Sequence, residues 1–217
     1  MKIALIGASG FVGTALLKEA LQRGHQVTAI VRNPEKIKET NSNLVIKKGD
    51  AFNKDEIKEL VKGADVVLSS YNPGWGDPNI YNNFLKASQT IQQATKESGV
   101  KRYLVIGGAG SLEVAPGLQL IDTPQFPAEY KQGALGARDY LNVLKKEEQL
   151  DWTFFSPAIE MHHGITTGRT GKYRLGTDQP VFNAENRSIL SVEDLAIVVI
   201  DELENKKFIK KRFTAAY

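Results

Sequence analysis

The strongest structural signal in this sequence is Gly7-Ala8-Ser9-Gly10-Phe11-Val12-Gly13, which follows the apolar run 3–6 and leads directly into a helical pattern. A strand that turns into a helix in this way brings backbone N–H groups and the positive end of the helix dipole to one point. Glycine keeps that point free of side chains, so a diphosphate can approach the backbone. The turn therefore predicts a dinucleotide diphosphate site formed by Gly7, Ser9, Gly10, Phe11, Val12 and Gly13. Because the spacing is G-x-x-G-x-x-G and not G-x-G-x-x-G, a turn with incidental glycines is the alternative.

Length and composition indicate an ordinary globular domain. The 217 residues suffice for one core, and 41% of them are hydrophobic and 24% charged. A net charge of +3, spread along the chain, argues against a nucleic-acid or membrane partner. The absence of cysteine excludes disulfides, thiolate catalysis and cysteine-ligated metal, and no metal site is predicted. Glycines interrupt the apolar N-terminus before a signal-peptide core could form, so we expect a cytoplasmic protein.

Alternating apolar runs and helical patterns predict the fold class α/β, with a doubly wound parallel Rossmann sheet. Strands are expected at 2–6, 25–31, 44–48, 65–70, 102–106 and 152–156, with a long loop at 107–127 and a helix that ends near Leu150. The nucleotide-binding core is expected at 1–157. Residues 158–217 are expected to form a small lobe of the same domain that closes over the substrate, with strands near 172–175 and 208–214 and a helix capped by Ser191.

The end of the second strand predicts which cofactor is bound. An acidic residue there binds the ribose 2′-hydroxyl of NAD, whereas an arginine suits the 2′-phosphate of NADP. This chain has Arg32 and no acid beside it, which favours NADP while leaving NAD possible; an exposed basic residue without a ligand is the alternative. The carboxyl ends of the other strands supply the remaining candidate cofactor-binding residues, which are Asp50, Ala51, Ser69, Ser70, Gly107 and Pro157. For Asp50, a plain role in a turn is nearly as well supported.

The segments that carry a resemblance to known proteins are 7–13, 32–34, 49–50, 150–153, 156–157 and 191–196. In these segments the chain resembles the atypical or extended short-chain dehydrogenases/reductases of the NmrA-like NAD(P)H-binding group. That group includes flavin and biliverdin-type reductases and epimerase/dehydratase-like proteins. The resemblance implies catalysis by a tyrosine followed four residues later by a lysine, with a serine or threonine after the fifth strand. The matching tyrosine is Tyr130, but Ala134 occupies the lysine position, and Ser111 lies near the serine position. Tyr130 and Ser111 are therefore the candidate catalytic residues.

Two further features lie at the expected ligand edge. Trp75 follows the fourth strand and could stack on a nicotinamide or a planar acceptor, or could instead pack its loop onto the domain. Of His162 and His163, only one could enter the site if the segment is extended, and exposed loop positions are the alternative.

The sequence supports three functions. The first is an NADPH-dependent oxidoreductase that reduces a small planar or carbonyl acceptor such as a flavin or quinone. The second is a regulatory protein that senses NADP(H) without chemistry, which the missing lysine favours. The third is an NAD-dependent epimerase or dehydratase, which the missing pair disfavours because such a reaction needs a positioned base. The partner in the first case is a small-molecule substrate, and the sequence does not determine the oligomeric state.

Overall fold

The computed structural model describes residues 1–217 and consists of one large sheet, five helices and a small hairpin. The helices are α1 (Phe11–Gln22), α2 (Lys54–Val61), α3 (Ile80–Ser98), α4 (Ala128–Leu144) and α5 (Val192–Asn205). The strands are β1 (Lys2–Ile6), β2 (Gln26–Val31), β3 (Leu44–Lys48), β4 (Val66–Ser69), β5 (Arg102–Ile106), β6 (Glu113–Ala115), β7 (Leu118–Gln119), β8 (Asp151–Ser156), β9 (Arg174–Gly176) and β10 (Lys211–Ala216).

The large sheet has the order β3-β2-β1-β4-β5-β8-β10-β9 and is parallel except for β9. The chain builds outward from β1 to β3 on one side and then returns to add β4 beside β1. The strand order therefore reverses between β1 and β4, and the carboxyl ends of parallel strands on both sides of that point form a crevice that can receive a ligand. The predicted α/β Rossmann fold is confirmed.

Side chains of β1 alternate between the two faces of the sheet, and each face is covered by helices. Ile3 and Leu5 pack with the apolar residues of α1 and α5, whereas Ala4 and Ile6 face the side covered by α2, α3 and α4. All four side chains are buried. The sequence of β1 is continuously apolar from Ile3 to Ile6 because helices cover the parallel sheet on both faces. Burial of each large side chain contributes about 1.5–3 kcal/mol.

Residues 158–217 are joined to the rest of the chain through the large sheet. β10 pairs in parallel with β8, β9 pairs antiparallel with β10, and α5 packs against α1. The predicted cap is confirmed, because the Ser191 hydroxyl accepts a hydrogen bond from the Asp194 N–H at 3.1 Å. The buried Asp194 carboxylate in turn accepts from the N–H groups of Thr170 and Gly171, each at 2.8 Å, and so ties the irregular segment before β9 to the helix.

The structure differs from the sequence prediction in two connecting segments. The expected long loop contains two short 3-10 turns and the β6–β7 hairpin, which Gly117 closes with a φ of +73°. Helix α4 ends at Leu144 and not near Leu150, because the Glu147 carboxylate accepts from the N–H groups of Gln149 and Leu150 and holds the chain in a turn. No helix is both long enough and apolar enough to span a bilayer.

Candidate dinucleotide-binding site

The turn between β1 and α1 is packed so closely that two of its glycines have structural roles. Gly7 adopts a φ of +84°, and a Cβ there would lie 2.8 Å from the Ser70 carbonyl oxygen. A Cβ on Gly13 would lie 2.0 Å from the Gly7 carbonyl oxygen. The Ser70 hydroxyl donates to the Ile6 carbonyl at 3.1 Å and fixes the end of β1 against the end of β4. The turn therefore has one rigid shape.

Gly10 has a different role, because it leaves the start of α1 open. It is the N-cap residue with extended backbone, and no side chain caps the helix. The N–H groups of Phe11, Val12 and Gly13 donate no hydrogen bond within the protein, and the first turn carries no acidic residue. Unpaired N–H groups at a helix start attract an anion. These open donors and the missing side chain of Gly10 fit the diphosphate of a dinucleotide.

A cavity of about 490 Å³ lies over this turn, within the range of small-molecule sites. It extends along the carboxyl ends of β1, β2, β4, β5 and β8. Most of the residues predicted to bind the cofactor line it, namely Gly7, Ser9, Gly10, Phe11, Val12, Arg32, Ala51, Ser70, Gly107 and Pro157. Gly13 does not line the cavity, and its missing side chain allows the turn to pack.

Asp50 and Ser69 do not line the cavity. The Asp50 carboxylate accepts a hydrogen bond from the Phe52 N–H at 3.0 Å, which is the turn role that the sequence left open. Ser69 is buried within the end of β4, and its hydroxyl oxygen lies 3.5 Å from the Tyr71 nitrogen. The structure therefore assigns local structural contacts to both residues.

One end of the cavity is cationic. Arg32, Asn33 and Lys36 line it just beyond β2, and the side chains of Arg32 and Lys36 are exposed and make no hydrogen bond or ion pair with the protein. Lys36 was not predicted from the sequence. It reaches the cavity because a 3-10 turn, Pro34–Lys36, bends the chain back after β2. The Asn33-Pro34 pair, which favours turns, is the signal that could have indicated this.

The other end of the cavity is aromatic and apolar. Tyr71, Trp75, Phe84, Ile106 and Met161 line it beyond β4, β5 and β8. Burial raises the pKa of Tyr71 to about 12. Its phenol therefore keeps its proton at neutral pH and can act as a hydrogen-bond donor to a ligand.

Both histidines of the segment after β8 line the cavity, so the expectation that only one could enter is wrong. That expectation assumed an extended segment, but the chain turns here, with the Ile165 N–H donating to the His162 carbonyl at 3.0 Å. The Gly164 N–H donates to Nδ1 of His162 at 3.1 Å, and the His163 ring lies 3.9 Å from that of Phe11. Both side chains are exposed at the mouth of the cavity.

The two candidate catalytic residues lie outside the cavity lining. Ser111 is buried, and Arg212 from β10 donates to its carbonyl oxygen at 3.0 Å and to its hydroxyl at 3.4 Å, so Ser111 belongs to a structural cluster. Tyr130 is exposed on the first turn of α4 and packs edge-on against Trp75, with ring centroids 5.1 Å apart. Ala134 carries no amine that could lower the pKa of a tyrosine. The serine and the Tyr-x-x-x-Lys pair that the resemblance implied are therefore not assembled at the cavity.

No group of three or more His, Asp or Glu side chains converges as the ligands of a metal ion would.

Several known proteins are similar to this chain over nearly its whole length. A model of the NAD(P)H-binding family matches residues 7–206. The uncharacterized protein YwnB of Bacillus subtilis is 39% identical over 216 residues, which make up 99% of this chain and 97% of that protein. The solved structure of a proposed epimerase from Bacteroides thetaiotaomicron is 49% identical, with a TM-score of 0.92 over 100% of this chain and 96% of the other.

A third similar protein has a proposed enzymatic activity. The solved structure of a proposed NADH-flavin reductase from Streptococcus pneumoniae is 35% identical, with a TM-score of 0.86 over 100% of this chain and 99% of the other. The family match covers the turn, both ends of the cavity and α5. The chain therefore belongs to the family of NAD(P)H-binding, oxidoreductase-like Rossmann proteins, and its cofactor is a nicotinamide dinucleotide.

Proposed function

We propose that this protein is an NADPH-dependent reductase of a small planar or carbonyl acceptor such as a flavin or quinone. The observation that carries the proposal is that one cavity has a cationic end at Arg32 and Lys36 and an aromatic end at Trp75. The open N–H groups of α1 lie between these ends, because β1 stands between β2 and β4 in the sheet. The cationic end and the open N–H groups suit the phosphorylated ribose and the diphosphate of one dinucleotide. The aromatic end suits the planar ring of an acceptor that lies beside the nicotinamide.

Each part of the cavity has a role in binding. The N–H groups at the start of α1 hold the diphosphate, and Arg32 and Lys36 bind the 2′-phosphate. Gly107 and Pro157, which line the cavity beyond β5 and β8, leave room for the nicotinamide. When bound, that ring supplies a hydride. Water at the open mouth can supply the proton that a flavin or quinone also takes up, so the absence of a lysine after Tyr130 does not prevent reduction.

A second candidate is a protein that senses NADP(H) without catalysis. The position of Ser111 and Tyr130 outside the cavity lining favours it, because no residue of the expected proton-transfer set contacts the ligand space. An epimerase or dehydratase is less well supported, since no Asp or Glu lines the cavity and the two histidines that do are exposed at its mouth and not held as a positioned base. A cytoplasmic location stays a prediction from the sequence.

Turnover separates the first two candidates. The full chain is mixed with NADPH and, in separate reactions, with FMN, a two-ring quinone and a short aldehyde, and the loss of nicotinamide absorbance is followed. A reductase consumes NADPH with at least one acceptor. Tight NADPH binding without consumption by any acceptor would support the sensor and refute the reductase.

The cofactor preference is tested at the cationic end. Arg32→Ala should weaken NADPH binding by about 10- to 100-fold, since a hydrogen bond to a charged group is worth about 1.5–3 kcal/mol. NADH lacks the 2′-phosphate, so its affinity should change by no more than about twofold. The two dissociation constants are measured by calorimetry. Equal losses for both nucleotides would contradict the assignment of Arg32 to the 2′-phosphate.

A further inference from the structure

Trp75 is a large aromatic residue that is held at a defined position although it is exposed. It lines the cavity, yet 59% of its surface is accessible. Its loop is fixed by local hydrogen bonds: the Asn72 side chain accepts from the Gly74 N–H at 2.7 Å, and the Gly74 carbonyl accepts from the Asp77 N–H at 3.0 Å. The Asp77 carboxylate also accepts from the Asn83 side chain of α3 at 2.8 Å. The indole therefore projects from an ordered loop.

Helix α4 has a notch that receives the edge of this indole. A Cβ on Gly133 would lie 2.7 Å from Cζ3 of Trp75 and 3.0 Å from Cδ1 of Ile80, so only glycine leaves room for the ring in its present position. Tyr130, one turn earlier on α4, packs edge-on against the same indole at an interplanar angle of 76°. These contacts hold the edge of the indole and leave much of its surface free.

We propose that the indole of Trp75, seated in the Gly133 notch, is the surface on which the acceptor stacks, and that it selects extended planar conjugated acceptors over small aldehydes. The proposal rests on the reductase function and names its substrate class. An aromatic ring gains most from stacking against another planar ring, because dispersion and quadrupole interactions act over the whole overlapping area. A short aldehyde has no such area. Gly133 is a positioning residue in this arrangement, and Tyr130 supports the indole without contacting the cavity.

The test measures acceptor binding without turnover. FMN fluorescence is quenched when the isoalloxazine stacks on an indole, so FMN is titrated with the full chain in the absence of NADPH, and a two-ring quinone is used as a competitor. Trp75→Leu removes the stacking surface, and Trp75→Phe keeps a smaller one. Gly133→Ala keeps the indole but fills its notch. Gln132→Ala, at an exposed neighbouring position on α4, is the matched control.

The expected result is a loss of FMN affinity of roughly tenfold in Trp75→Leu and a smaller loss in Trp75→Phe. Gly133→Ala should lose affinity several-fold while its melting temperature stays the same or rises, because alanine is the better helix former. Gln132→Ala should bind FMN as the unmodified chain does. NADPH affinity should stay within about twofold in all variants, which excludes general misfolding.

Two outcomes would overturn the proposal: unchanged FMN affinity in both Trp75→Leu and Gly133→Ala, or no binding of FMN or the quinone by the unmodified chain. Failure of the reductase function would look different. If FMN binding depends on Trp75 and Gly133 but no acceptor consumes NADPH, the stacking surface stands and the reductase is refuted. If acceptors are reduced equally well by Trp75→Leu, the reductase stands and the stacking surface is refuted.

Discussion

Replacing Gly13 and Gly10 separately by alanine tests the two roles of the turn. At Gly13 the new methyl would lie 2.0 Å from the Gly7 carbonyl oxygen and 2.9 Å from the Ala8 Cα, which are backbone atoms of a rigid turn. Overpacking of this kind costs about 1–3 kcal/mol, and the severity of the overlap indicates the upper end. The gain in helix propensity from glycine to alanine returns up to about 1 kcal/mol. We therefore expect a net loss of about 2 kcal/mol.

At Gly10 the same methyl group meets little resistance within the protein. Its nearest contact would be the Gly7 carbonyl oxygen at 3.4 Å, and the φ of −79° is one that alanine adopts readily. The cost in stability should be below about 1 kcal/mol, since glycine is only a moderately better N-cap than alanine. The methyl would, however, project where the diphosphate meets the N–H groups of α1. Loss of one or two charge-assisted hydrogen bonds would weaken NADPH binding by about 10- to 100-fold.

Thermal unfolding and NADPH titration of the two variants give opposite patterns. For a chain of this size, 1 kcal/mol shifts the melting temperature by about 2–4 °C, so Gly13→Ala should melt about 4–8 °C lower and Gly10→Ala no more than a few degrees lower. Gly10→Ala should be the variant with the larger specific loss of NADPH affinity, measured well below either melting temperature. If Gly10→Ala binds NADPH as tightly as the unmodified chain, the diphosphate does not lie against the start of α1.

Three further changes have defined outcomes. Ser111→Ala should leave steady-state NADPH oxidation within about twofold, because the hydroxyl faces Arg212 and not the cavity; a tenfold loss would restore a catalytic role. Glu202→Ala should cost about 3–5 kcal/mol in urea unfolding, because it leaves the Arg102 guanidinium, 2.8 Å from the carboxylate, buried without its partner. Burial raises the pKa of Glu19, but hydrogen bonds from Arg169 and Arg23 outweigh it and hold that pKa below its ordinary 4.5. Its stabilisation is therefore complete above pH 4.5 and is lost as the pH falls through the lowered value, and Glu19→Gln should flatten this loss when urea unfolding is followed from pH 7 to pH 3.

The fold was predictable from sequence because its signals are local. The bounds of β1, β3 and β5 follow from apolar runs between polar or glycine-rich ends, and the structure has them at the predicted residues. The turn from β1 to α1 was predictable for the same reason, since Gly7, Gly10 and Gly13 lie within seven consecutive residues. The sequence did not distinguish their roles, which depend on how closely Ser70 approaches Gly7 and how closely the Gly7 carbonyl approaches Gly13.

The parts of the site that were missed depend on contacts between distant segments. Ser111 is withdrawn from the cavity by Arg212, a partner about a hundred residues away on β10, and no spacing rule shows such a contact. Lys36 reaches the cavity because a 3-10 turn bends the chain after β2. His162 and His163 both line the cavity because the chain turns there, whereas the alternation of side chains along an extended strand would place only one of them at the cavity. The notch at Gly133 is visible only when Trp75 is seen against α4.

The pairing of β10 with β8 also affects how the chain is made. β8 contains Trp152, Phe154 and Phe155, and its far edge stays unpaired until β10 has been synthesised. At about 5–20 residues per second, the ribosome needs roughly 3–12 s to add residues 157–216, which include β10. During that interval a nascent chain presents an apolar strand edge, which is the type of surface that recruits other strands. Aggregation of nascent chains should therefore begin at β8. Slower synthesis should prolong the exposure of that edge, whereas a chaperone that covers the edge should reduce aggregation.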